Sequence, residues 1–174
     1  MISVLLLGHH TAAGRPPTSG AAVRSLSALV SGAVDGVIRD VQLLATAADP
    51  NLTEVAEHAG CAYLAADLAQ AVPRAAAAAR SPLVLVLLSG ASFDRALTSE
   101  LSDVATRHEA WHAGGVALKS VDGGVLSRVL PHLAPNVGVL TTRDRLRSIA
   151  PAAIPALWRA LRPRRSFKTR AWTG

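Results

Sequence analysis

The sequence predicts an α/β fold, a mostly parallel open sheet with helices on both faces. Three observations predict it. The runs Val41-Gln42-Leu43-Leu44 and Leu83-Val84-Leu85-Val86-Leu87-Leu88 are short and rich in Val and Leu, as strands buried on both faces are. Segments with helical apolar spacing lie between the strand candidates, which is the alternation of a layered α/β sheet. Half of the 174 residues are hydrophobic, enough for one domain with a sizeable core.

The elements follow in order. Residues 2–7 read as the first strand. Gly8, His9 and His10 follow it, and Gly14, Pro16, Pro17 and Gly20 make residues 11–20 a loop. Val23, Leu26, Leu29 and Val30 recur at helical spacing, so residues 21–30 read as a helix. Residues 37–44 form the second strand. Asp49-Pro50 then reads as a cap with proline at the first helical position, and Gly60 ends that helix. Residues 62–64 make a short third strand. Residues 67–80 are an alanine-rich helix that Pro73 starts or kinks. Residues 83–88 are the central fourth strand and 97–112 a further helix. Residues 116–119 and 137–140 are strand candidates, and 143–149 and 154–161 are helices.

Composition excludes several classes. No apolar stretch reaches the ~18 residues of a membrane span. The first eight residues lack the basic region of a secretory leader and read as strand. Cys61 is the single cysteine, so no internal disulfide forms; it reads as a small core residue, and a cytoplasmic setting is expected. After Asp144 there is no acid, while Arg159, Arg162, Arg164, Arg165, Lys168 and Arg170 match the formal net charge of +6. Residues 151–174 therefore read as a basic C-terminal helix and solvated tail. Its alternative reading is a patch for anionic lipid or a phosphate-bearing ligand, with Arg162, Arg164, Arg165 and Lys168 as the contacts, peripheral to the inner membrane face. Interleaved aromatics and nucleic-acid motifs are lacking, so nucleic acid is not the expected partner.

His108-Glu109-Ala110-Trp111-His112 has the H-E-x-x-H spacing that places two imidazoles on one helix face. The usual third zinc ligand is missing: Leu118 stands where a histidine would, and no glutamate follows Glu109, which leaves Asp122, His132 and Asp144 as improvised ligands. The pattern reads as a polar helix end. Gly8 and Gly14-Arg15-Pro16 match neither G-x-G-x-x-G nor the P-loop spacing. Gly123-Gly124 is a turn.

Several stretches carry a resemblance: Ile2-Ser3-Val4-Leu5-Leu6-Leu7, Leu26-Ser27-Ala28-Leu29-Val30, the run from Val37 to Leu44, Val55 through Cys61, Ala76 through Leu88 and, more weakly, Gly138 through Asp144. In their order and spacing the chain resembles the family 2 glycosyltransferases, which have the Rossmann-like GT-A fold, in a short, truncated and degenerate bacterial form. The resemblance implies a nucleotide-sugar-binding domain over residues 1–150. It implies a site lined by Gly8, His9, His10, Ala45, Asp49, Ser89, Gly90 and Asp94.

The departures define two readings. Where the family's second strand ends in a base-binding aspartate, this chain has Ala45. Where its fourth strand ends in an aspartate motif that holds Mg²⁺ or Mn²⁺, this chain has Leu88-Ser89-Gly90. A bound cation stabilises the charge on a departing diphosphate by several kcal/mol, and each ~1.4 kcal/mol is tenfold in rate. Asp94, His9 or His10, or the arginines of the tail are the available substitutes. One reading is transfer of a sugar from a nucleotide-sugar donor with an altered site. The alternative is a catalytically inactive GT-A-like binding or scaffold module acting through its basic tail.

Overall fold

A computed structural model describes residues 1–11, 18–107, 115–121, 134–163 and 165–173, with the side chains of residues 9–11 excepted. The H-E-x-x-H pattern at 108–112, Asp122, His132, Gly14-Arg15-Pro16, Gly123-Gly124 and Arg164 lie outside the described residues.

Six helices and nine strands are described: β1 Ile2–Thr11, α1 Ser19–Val34, β2 Ile38–Ala45, α2 Pro50–His58, β3 Ala62–Ala65, α3 Leu68–Ala78, β4 Leu83–Ser89, β5 Ala91–Ser92, α4 Arg95–Thr106, β6 Val116–Lys119, β7 Asn136–Thr142, α5 Arg143–Arg147, α6 Ile154–Leu161, β8 Arg165–Ser166 and β9 Trp172–Thr173. Seven strands make one sheet in the order β3-β2-β1-β4-β7-β6-β8. Strands β3, β2, β1 and β4 are mutually parallel, and β7 runs antiparallel between β4 and β6. The expected mostly parallel sheet is therefore mixed at one strand.

Alternation along the strands builds two cores. Ile2, Val4 and Leu6 of β1 and Leu85 and Leu87 of β4 pack with α1, α2 and α4. Leu5, Leu7, Val84 and Val86 face the other way, onto α3, α5 and α6. The helices start where the sequence supplies caps. Thr18 caps α1, Asp49 caps α2 ahead of Pro50, and Asp67 caps α3. Gly36 and Gly60, both at positive φ, follow the ends of α1 and α2. Pro73 sits inside α3, neither starting it nor dividing it.

Two polar groups are buried between layers and are satisfied. Gln42 Nε2 donates to the Ala75 carbonyl of α3 at 3.0 Å. Ser3 Oγ donates to Asp40 Oδ1 at 2.5 Å and accepts from the Ser81 N–H at 3.0 Å.

The largest departure from expectation is the C-terminal segment, which is not a solvated tail. Strand β8 pairs with β6, β9 pairs with β5, and Ala171 bridges Ser120. Phe167 and Ala171 are buried in the α1/α2/α4 core. The charge of this segment masked two apolar anchors four residues apart.

Candidate functional site

From β1 the chain winds outward through β2 to β3, then crosses back to set β4 on the other side of β1. The switch point lies between the carboxyl ends of β1 and β4, where sheets of this class open a ligand crevice. The two strands pair in register from Ile2↔Leu83 to Leu7↔Leu88, and then Thr11 pairs with Ser89. Gly8, His9 and His10 thus form a bulge at the switch point. Bulges of this kind re-aim side chains beside sites. The sequence placed these residues after the first strand; the structure keeps them inside it, because Thr11 rejoins β4. The imidazoles of His9 and His10 lie outside the described atoms.

Gly8 has a packing reason to be glycine. A β-carbon there would sit 3.0 Å from the Leu44 carbonyl oxygen of β2. Ala45, at the end of β2, is buried, and its carbonyl accepts from Ala66 N–H at 2.9 Å. It offers the crevice no polar side chain.

The turn after β4 is fastened to α1. Gly90 has φ +87°, and its N–H donates to the Ala21 carbonyl at 3.1 Å. Ser25 Oγ donates to the Ala91 carbonyl at 2.8 Å. The Ser89 hydroxyl is fully buried and has no hydrogen-bond partner among the described residues.

Both acids nominated for the site are helix caps. Asp49 Oδ1 accepts from Asn51 N–H at 2.9 Å and Leu52 N–H at 3.4 Å. The Asp49 N–H donates to the Tyr63 hydroxyl, which itself donates to the Ala47 carbonyl, each at 3.1 Å. Asp94 Oδ1 accepts from Ala96 N–H at 3.0 Å at the start of α4. Among the described residues no three His, Cys, Asp or Glu side chains gather into a metal site.

Sequence reasoning missed the contribution of the C-terminal segment. Ala91 pairs with Thr173 and Ser92 with Trp172, so β9 lies beside the strand that follows Gly90. Trp172 is 47% exposed there. A two-residue strand has no periodicity to find, so the sequence carried no signal for this pairing. Of the proposed anionic contacts, Arg162 ends α6 in a left-handed conformation (φ +40°), Arg165 lies on β8, and Lys168 follows it.

A separate groove of about 650 Å³ runs between α1 and α2, over Val41. Leu26, Val30 and Val55 line it, with Glu54 and His58 among its polar residues. Cys61 also lines it, and burial raises the thiol pKa.

No protein-family model matches the chain, and no curated protein matches it in sequence. Solved structures do. Glucosyl-3-phosphoglycerate synthase from Mycobacterium tuberculosis superposes with a TM-score of 0.61 at 17% identity, over 92% of this chain and 66% of that one. The same enzyme in complex with Mn²⁺, uridine diphosphate and glucosyl-3-phosphoglycerate gives 0.59 at 18%, with the same coverage. Its complex with Mg²⁺ and uridine diphosphate gives 0.54 at 18%, over 83% and 57%. The chain thus spans 57% to 66% of the length of these neighbours. At such identities the likeness is one of architecture, and the architecture is that of the GT-A glycosyltransferases.

Proposed function

We propose that the chain binds a nucleotide-sugar in the crevice at the carboxyl ends of β1, β2 and β4. The observation that carries this reading is the switch point between β1 and β4, occupied by the Gly8-His9-His10 bulge opposite Ser89. Neighbours of the same architecture are described in complex with uridine diphosphate or its glucose conjugate and Mn²⁺. Helices α1 and α2 follow the ends of β1 and β2, so their N-termini face the same edge, the favourable pole for a diphosphate.

The described residues there do not fit a divalent cation. Ser89 is buried, Gly90 has no side chain, and the carboxylates of Asp49 and Asp94 accept helix N–H bonds. In this reading the diphosphate charge is balanced by cations of the chain, with His9, His10 and the β9-proximal Arg170 as candidates. That both nearby carboxylates serve as helix caps favours a second reading, a module that binds the nucleotide-sugar without transferring the sugar.

Titration calorimetry with uridine diphosphate and UDP-glucose, each with Mn²⁺ and with EDTA, tests the proposal. Saturable binding that survives EDTA is expected. Absence of binding to either nucleotide, or binding abolished by EDTA, overturns it. Release of glucose from UDP-glucose, assayed alongside, separates transferase from binding module.

A further inference from the structure

The sheet separates charge as well as core. The layer of α3, α5 and α6 is arginine-rich. Helix α3 carries Arg74, α5 carries Arg143, Arg145 and Arg147, and α6 carries Arg159 and is capped by Arg162. The acids of these helices and their caps are Asp67 and Asp144. The opposite layer reverses the balance. Helices α1, α2 and α4 with their caps hold Glu54, Glu57, Glu100, Asp103, Asp35, Asp49 and Asp94 against Arg24, Arg95 and Arg107.

The arginines belong to adjoining helices. Arg145 Nη2 donates to the Ala160 carbonyl of α6 at 3.1 Å, and Arg143 Nη1 to the Ala79 carbonyl at the end of α3 at 3.4 Å. Arg74, Arg147, Arg159 and Arg162 are exposed. Among the described residues the one ion pair is Arg95 with Asp35, on the other layer, and no described carboxylate pairs with these guanidinium groups.

We propose that the α3/α5/α6 layer docks on the surface of an anionic lipid bilayer. Guanidinium groups match phosphate oxygens two at a time. A bilayer offers many such phosphates in one plane, so cations on three neighbouring helices engage together. Trp158 and Ile154 of α6 are partly buried against the core of this layer and add an amphipathic element at headgroup depth. The acids of the opposite helices are partly offset by Arg165, Lys168 and Arg170 of the strap packed on that side, so the orientation is set by the exposed arginines of α3, α5 and α6. The crevice between β1 and β4 opens at the edge between the two layers and stays accessible. Nucleic acid fits less well, because Trp158 is the one aromatic of these three helices and single strands bind along rows of stacking platforms. The surface differs from the C-terminal strap, whose Lys168 packs beside Glu100 of α4.

Co-sedimentation with vesicles tests this. The probes are phosphatidylcholine vesicles with and without about one third phosphatidylglycerol, at about 0.1 M and about 0.5 M salt. Binding is expected only to the anionic vesicles and only at low salt. The combined substitution Arg74→Gln, Arg147→Gln, Arg159→Gln removes about fivefold in partition per arginine, roughly hundredfold together. The combined substitution Arg165→Gln, Lys168→Gln should leave partition within about threefold. If the triple variant melts early, the single Arg74→Gln and Arg147→Gln proteins each carry the fivefold test. Failure to bind anionic vesicles overturns the proposal. So does loss of binding in the strap variant alone, or binding of a single-stranded RNA, abolished by the triple variant, in place of vesicle binding.

Discussion

Glu100 on α4 grips the backbone at Lys168. Its Oε1 accepts the Lys168 N–H at 2.7 Å and its Oε2 accepts the Thr169 N–H at 3.0 Å. One carboxylate thereby seats the turn between the buried anchors Phe167 and Ala171. Replacing Glu100 by Ala removes two charge-assisted bonds, about 2 kcal/mol after solvent screening. The expected outcome is a lower midpoint in urea unfolding and earlier proteolytic cleavage within residues 165–173.

Gly90 holds φ +87°, a conformation that a β-carbon opposes. Gly90→Ala should cost about 1–2 kcal/mol, measured as a drop in the denaturation midpoint at unchanged slope. A neutral result would mean that the turn after β4 relaxes easily away from Ala21.

Asp94 caps α4, and asparagine caps as well as aspartate does. Asp94→Ala is expected to lose about 1 kcal/mol of stability, and Asp94→Asn only a few tenths. Nucleotide binding should be unchanged in the Asn variant. If Asp94→Asn kept its melting temperature and lost nucleotide binding, the carboxylate would be a ligand group instead of a cap.

The Ser89 hydroxyl is buried with no hydrogen-bond partner among the described residues. An unpaired buried hydroxyl costs about 1–3 kcal/mol of desolvation. Ser89→Ala should therefore melt at the same temperature as the parent or a few degrees higher. A clear fall would reveal a hydrogen-bond partner for this hydroxyl.

Burial pushes the Cys61 thiol above its ordinary value. The folded chain then holds that proton more tightly than the unfolded chain. Stability from this group is intact below the ordinary thiol pKa of 9.0 and falls as pH rises above it. Alkylation with iodoacetamide at pH 8 should run slower than for the same protein in urea.

Much of the fold was legible in residue types. Apolar runs at 41–44 and 83–88 marked buried strands, and Asp49-Pro50 and Gly60 marked the ends of α2. These are local signals, carried by packing and capping. The bulge was not legible, because Gly8-His9-His10-Thr11 has no alternation and Thr11 is strand only through its pairing with Ser89. The direction of β7 was equally hidden, since an antiparallel insertion is decided by its neighbours. The sequence put Ala45 at the end of the second strand and Gly90 just past the fourth, where the structure has them too. It could not show that Asp94 spends its carboxylate on Ala96, or that β9 comes to lie beside β5.

The central place of β1 has a consequence for how the chain acquires its shape. Its β2 edge is satisfied by residues nearby in sequence, but its β4 edge waits for a partner some eighty positions later, Ile2 meeting Leu83. Until that partner emerges from the ribosome, Leu5 and Leu7 lie on an open strand edge, a template for aggregation. Nascent chains halted before Leu83 should therefore self-associate unless a chaperone shields them.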